Sequence, residues 1–281
     1  MGTSHDEREE REHSTMRIFE SLGKKKTVIG MVHLLPLPGT PFYQEGNVER
    51  ALTKAVADAT ALYQGGADGC LIQTVDRVYP TADEADYARV AAMAAIAKAV
   101  ADATGPEFQI GIQIMLNALK ASVAVATVCG GSFLRCTALV GATLTASGMV
   151  QANPHDFLTY RARIGANHVK LIAEVHSMHF RWLGEKPTAE VARMAARLGA
   201  AAVEVAHPDE ETNARLVRDI KQAMPHLPVI LGGHTNHDNV ARRLAAADGV
   251  FVGTCLKSEG WDGRVDIERV REYVKIVASL T

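Results

Sequence analysis

The sequence predicts an α/β fold: a single (β/α)8 TIM barrel with a disordered, charged N-terminal tail. Three observations carry this reading. From residue 27 onward, short apolar runs alternate with Ala-rich amphipathic stretches, eight times over. The runs are apolar almost without interruption, as parallel strands covered on both faces must be. The length of 281 residues also suits a barrel that needs about 250. An open doubly wound sheet is the architectural alternative, but no dinucleotide-type glycine fingerprint follows the first run.

The first strand is read at residues 27–33, and a helix over 47–64 is stopped by Gly65-Gly66. Strand two covers 68–74, followed by a helix over 86–103 and the break Gly105-Pro106. Strand three, 109–115, alternates. Ile110, Ile112 and Ile114 should face the helices, while Gln109, Gly111, Gln113 and Met115 should line the barrel. A helix over 118–128 and Gly130-Gly131 lead to strand four, 132–137, with Phe133, Arg135 and Thr137 on one face. A helix over 155–164 and Gly165 precede strand five, 168–176, where Ile172, Glu174 and His176 share a face. Then come a helix over 188–198, Gly199, strand six at 201–207 and a helix over 209–224. Strand seven at 228–232, a helix over 237–246, strand eight at 248–253 and a closing helix over 266–279 complete the chain. Residues 34–41, LLPLPGTP, cannot be helical. They are expected to form a stiff loop across the barrel mouth, as a pocket wall or a subunit contact.

Residues 1–15 are read as the tail and 16–281 as the barrel; Met16 is an alternative start. The tail has no apolar signal core, and Asp6 stands where a myristoylation signal needs Ser or Thr. With 30 basic and 32 acidic residues there is no basic excess to suggest nucleic acid as a partner. No apolar run is long enough for an integral membrane segment. Cys70, Cys129, Cys136 and Cys255 form no CxxC pair and read as free thiols of a cytoplasmic protein. Barrels of this size often pair through helix faces, so a homo-oligomer is expected.

The last two strand loops read as an anion site. Gly232-Gly233-His234 follows strand seven, and Gly253-Thr254 with Lys257 follows strand eight. Glycines let backbone N–H groups approach a phosphate, and a helix N-terminus adds free donors. Tight turning alone is the alternative explanation for these glycines.

Polar residues at strand ends supply further candidates. His33, Glu174, His176, Glu204 and His207 are candidate acid–base groups, or ligands of a divalent metal. The HxH pair typical of metal-dependent barrel hydrolases is absent after strand one, and Glu204 and His207 have opposite parity. No metal ligand and no cofactor is therefore assigned, although a divalent metal is compatible. Arg135 inside a barrel must either pair, with Glu174, or meet a substrate anion. Gln73, Gln113, Asn117 and Thr137 add neutral donors and acceptors for substrate hydroxyls, or support for Arg135. Asp76 could serve as a base or as a loop cap, and Cys136 reads as a packing thiol.

The string IGMVHLLPLPG at 29–39 resembles the opening signature of the BtpA/SgcQ family. The resemblance continues through 65–69, 111–117, 133–135, 173–179 and 247–257. It implies a ribulose-phosphate-binding barrel. The family name derives from a role in photosystem I biogenesis, and other members carry sugar-operon or nucleotide-processing labels. This chain departs from the pattern at Gln73-Thr74, where Glu-Asn is usual, and at Gly232-Gly233-His234, where Gly-Ser-Gly is usual. A Thr-Gly motif after strand six is replaced by Ala206-His207-Pro208-Asp209. These changes imply a different substrate or chemistry from that of the name-giving members.

Three functions follow as expectations. The first is an enzyme acting on a small phosphorylated sugar, nucleotide or related metabolite by isomerase, lyase or glycosidic chemistry. The second is a non-catalytic factor in the biogenesis of a membrane complex of the photosystem I type. The third is a metal-dependent hydrolase.

Overall fold

A computed structural model describes residues 17 and 19–280. The expected tail and Met16 lie outside these residues. Eight parallel strands close into a barrel: β1 (Thr27–His33), β2 (Gly69–Gln73), β3 (Gln109–Gln113), β4 (Phe133–Cys136), β7 (Lys170–His176), β9 (Ala200–Val205), β10 (Val229–Gly232) and β11 (Gly249–Val252). Around the barrel they run β1-β11-β10-β9-β7-β4-β3-β2. The (β/α)8 expectation is met.

The helices between them are α1 (Asn47–Gln64), α2 (Tyr87–Ala103), α3 (Leu119–Cys129), α4 (Pro154–Arg163), α5 (Thr188–Arg197), α6 (Glu210–Ala223), α7 (Val240–Arg243) and α8 (Ile267–Ala278). Carboxylates and an amide start several of them. Asp86, Asn153, Asp209 and Asp266 each accept an N–H from the first turn of the helix that follows. The helix expected over 237–246 shrinks to the four residues of α7. Asn236 and Asn239 instead bond neighbouring backbone, and such side chains compete with helical turns.

Strand alternation sorts the core into two parts. Ile110, Ile112 and Ile114 pack outward with helix residues such as Met93 and Ile96. Ile29, Leu71, Phe133, Ile172, Ile230 and Phe251 fill the barrel itself, with Phe19 beside Phe133. A Cβ at Gly111 would lie 2.1 Å from the Phe133 ring, so only glycine leaves room for that ring. At the N-terminal ends of the strands, Asp68 accepts from the Val28 amide and Asp248 from the Val229 amide.

A second sheet was not foreseen. The antiparallel strands β5 (Ala142–Thr145), β6 (Gly148–Gln151) and β8 (Phe180–Trp182), in the order β6-β5-β8, are inserted after β4 and β7. The loop 34–41 does not form the expected pocket wall. Leu34 and Leu37 are buried in the main core, and none of its residues lines the cavity described below. Its apolar side chains turn inward instead of walling the mouth.

Candidate active site

The C-terminal strand ends open into a cavity of about 880 Å³. His33 from β1, Gln73 from β2, Arg135 from β4, Thr137 just after β4, and Glu174 from β7 all face it. So do Gly232, Gly233 and His234 after β10, and Gly253 and Thr254 after β11.

The floor is an ion triad. The Arg135 guanidinium donates through Nη2 to Glu174 Oε1 at 2.9 Å and to Glu204 Oε1 at 2.5 Å, and through Nε to Glu204 Oε2 at 2.6 Å. The bond to Glu204 is bidentate, the geometry for which a guanidinium is suited. Phe251 lies beneath, 5.5 Å from ring centroid to guanidinium carbon. Gln113 extends the network. Its Oε1 accepts from Gln73 Nε2 at 3.0 Å, and its Nε2 donates to Thr137 Oγ1 at 3.2 Å. Two carboxylates face one cation, so the surplus negative charge is costly where water is scarce. Burial raises Glu174 to about 7; Glu204 adds to the rise and Arg135 opposes it. Burial alone would lower Arg135, but the two carboxylates outweigh it and hold the guanidinium charged. Gly232 makes the arrangement possible: a Cβ there would lie 2.0 Å from Glu204 Oε1.

His33 forms a second feature. Its ring stacks on Trp261 with centroids 4.1 Å apart. Burial, then the charges of Lys257, Lys54 and Arg135, push it down to about 3, against a hydrogen bond with Gln73. It is therefore neutral near pH 7. Lys257 Nζ lies 3.4 Å from His33 Nδ1 and donates to the Trp261 carbonyl at 2.6 Å. A charged ammonium at Nδ1 favours the tautomer with its proton on Nε2. Lys257 itself is lowered to about 8 by burial and by Lys54.

The two glycine-bearing turns meet at the same cavity. Gly233 has φ 91 and His234 φ 59, so two successive residues adopt the left-handed region. Among the described residues, the backbone amides of His234, Thr235, Gly253 and Thr254 donate to no protein acceptor. The short turn Thr254–Leu256 opens right at Gly253. His234 sets Nε2 2.9 Å from Met178 Sδ and is lowered by burial and by nearby cationic side chains, Arg243 foremost.

Other expected residues lie outside the cavity lining. Glu204 is fully buried behind Gly232 as the bidentate partner of Arg135. The expected pairing of Arg135 with Glu174 was therefore only half of the triad. Asn117 holds the Ala138 backbone in both directions, at 3.0 and 2.9 Å. It neither reaches substrate space nor supports Arg135. A register irregularity between Glu174 and His176 turns the latter, and its Nδ1 sits 3.1 Å from the Ala206 carbonyl. His207 lies at the rim, 5.8 Å from the His176 ring, and bonds the backbone of Asp209. Lys257 is buried behind His33 and Trp261, not placed on the glycine turns. Asp76 is a loop cap: it accepts from the Leu37 amide and pairs with buried Arg89. Cys136 is a buried packing thiol, raised by burial. Among the described residues, no group of three or more His, Cys, Asp or Glu side chains is placed to hold a metal ion.

Several lining residues were missed in the sequence. Trp261 carried no spacing signal. Thr145, Ala146, Ser147 and Phe180 come from the second sheet, whose hairpin turn and third strand roof the cavity. The alternation of Thr143-Leu144-Thr145 before Ala146-Ser147-Gly148 is a hairpin signal, but a short and weak one.

Fold and site together define a (β/α)8 barrel with a cavity at the strand C-termini, an ionisable floor within it, and two open backbone turns after its last two strands. The chain belongs to the BtpA family, whose profile matches residues 24–279. It is 29% identical over 268 residues to the photosystem I biogenesis protein BtpA of Synechocystis, covering 94% of this chain and 92% of that protein. It is 31% identical over 260 residues to an uncharacterized protein of Pyrococcus abyssi, covering 91% and 97%. Among solved structures, N-(5'-phosphoribosyl)anthranilate isomerase of Pyrococcus furiosus superposes with a TM-score of 0.54 at 13% identity, covering 90% of this chain and 99% of that one. That likeness concerns the fold. No helix among the described residues is long and apolar enough to cross a membrane.

Proposed function

We propose that this barrel is an enzyme acting on a small phosphorylated metabolite, such as a sugar phosphate or nucleotide. Its phosphate would rest on the turns 232–235 and 253–254. The observation that carries the reading is the meeting of unpartnered amides from two turns at one cavity, with Glu174 on the floor of the same cavity. Exposed backbone N–H groups at a left-handed turn and a short helical start make a concave anion site. The Thr254 hydroxyl adds a donor.

Glu174 is the proton-transfer group in this reading. A carboxyl held to about 7 exists in both forms near neutrality, which suits general acid–base work. An incoming anion favours the protonated form further, so binding itself would load the acid. Neutral His33 directs its Nε2 proton toward Gln73, and a substrate oxygen that displaces Gln73 would take that proton's hydrogen bond. Arg135 and Glu204 position Glu174 and hold its titration range. Isomerisation, elimination and glycosidic cleavage all use such a pair.

Thr254→Asp places a negative charge in the anion site at an exposed position. Calorimetric titration with inorganic phosphate and ribose 5-phosphate should show at least tenfold weaker binding than the parent. Equal affinity would refute the site.

A second reading rests on the 29% identity to a photosystem I biogenesis protein: a non-catalytic assembly factor. It is favoured if affinity capture from the native host recovers a stoichiometric membrane complex that Glu174→Gln and Thr254→Asp leave undisturbed.

A further inference from the structure

We infer that the substrate is bipolar, with a planar, weakly polar ring at the end opposite its phosphate, lying on a wall made by Val75, Tyr79, Met115 and Leu116. This rests on the anion reading above and adds the other half of the molecule. The order of the strands places the two ends. In the closed barrel β3 stands four strands from β10, directly across the mouth. Along the arc β10-β9-β7-β4-β3 the chain sets out an open turn, Glu204, Glu174, Arg135, and then Met115 and Leu116 just after β3. Val75 and Tyr79 follow neighbouring β2 and line the same cavity. A ligand anchored at 232–235 thus passes over the ionisable floor before it meets apolar surface.

The wall is built, not incidental. Leu116 packs with Ala138 and Val150 in a cluster separate from both barrel cores, with Tyr79 and Met115 against it. The Tyr79 hydroxyl accepts from the Asp76 amide at 3.2 Å. Asp76 is itself held by Arg89 and the Leu37 amide. The buried Asp76–Arg89 pair, unused by the proposed chemistry, therefore fixes the tyrosine ring. Phe180 and Met178, from β8 and the turn before it, line the cavity as well. Aromatic faces and thioether groups favour a flat ring over a hydroxylated chain. The cavity of about 880 Å³ sits in the upper part of the roughly 300–1,000 Å³ range of small-molecule sites. That leaves room beyond a short sugar phosphate.

The test is calorimetric titration of the full chain with inorganic phosphate, ribose 5-phosphate, n-hexyl phosphate, 1-naphthyl phosphate and 1-naphthol. The parent should bind 1-naphthyl phosphate at least tenfold tighter than ribose 5-phosphate or n-hexyl phosphate. Val75→Asn should lose at least fivefold for 1-naphthyl phosphate and leave ribose 5-phosphate unchanged. Tyr79→Leu serves where the first variant fails to fold by circular dichroism. Equal affinity for 1-naphthyl phosphate and ribose 5-phosphate overturns the wall and leaves the anion site standing. Equal affinity for n-hexyl phosphate overturns the ring. Binding of 1-naphthol with none of inorganic phosphate overturns the anion site, and this inference with it.

Discussion

Glu174→Gln keeps the shape of the side chain and an oxygen for Arg135, but removes an ionisation. In the parent, burial raises this carboxyl from 4.5 to about 7. Between those two pH values the unfolded chain has lost the proton and the folded one keeps it. Unfolding then releases a proton, so stability falls as pH rises, by about 1.4 kcal/mol per pH unit. The contribution is fully present below about pH 4.5 and lost by about pH 8, roughly 3 kcal/mol in all. The glutamine variant has no such slope. Urea unfolding of both proteins at half-unit steps from pH 4.5 to 8.5 reads the difference directly. The gap between their unfolding free energies should change by roughly 3 kcal/mol in favour of the variant toward alkaline pH. A constant gap would refute the triad's surplus charge as the cause, and with it the loaded-acid role of Glu174. Under that role the variant also loses turnover at every pH.

Arg135→Met should destabilise the fold by about 3–5 kcal/mol at pH 7, because two buried carboxylates lose their cation; thermal unfolding checks this, and a loss below about 1 kcal/mol contradicts the pairing. Gly232→Ala drives a methyl group into Glu204 and should cost about 1–3 kcal/mol. It should also shift the pH dependence of unfolding, and a neutral result means the site absorbs the methyl. The His33 ring, held near 3 by burial and nearby cations, should show no titration between pH 5 and 8 by NMR. Its folded value is depressed, so its contribution to stability is lost as pH falls below about 6.5, and His33→Gln should flatten that acid limb.

Much of the fold was legible because barrel strands obey local rules. Ile110, Ile112 and Ile114 alternate with Gln109, Gly111 and Gln113, and the pleat alone sends one set to the helices and the other inward. The parity of Arg135, Glu174 and Glu204 was readable for the same reason. The second sheet was not read, because its strands are four, four and three residues long. The last of them comes from a segment far along the chain from the first two. So short an alternation is weak against the background of loops.

The sequence by itself determined eight βα units, the family, and which positions face the barrel, since periodicity and glycine placement are properties of neighbouring residues. Only the tertiary structure decided who meets whom. Closure set Arg135 between Glu174 and Glu204, removed Lys257 to the back of His33 and Trp261, and tied Asn117 to Ala138. These are contacts between residues far apart in the chain. Burial and the pairing of charges, not local propensity, choose among the partners that parity allows.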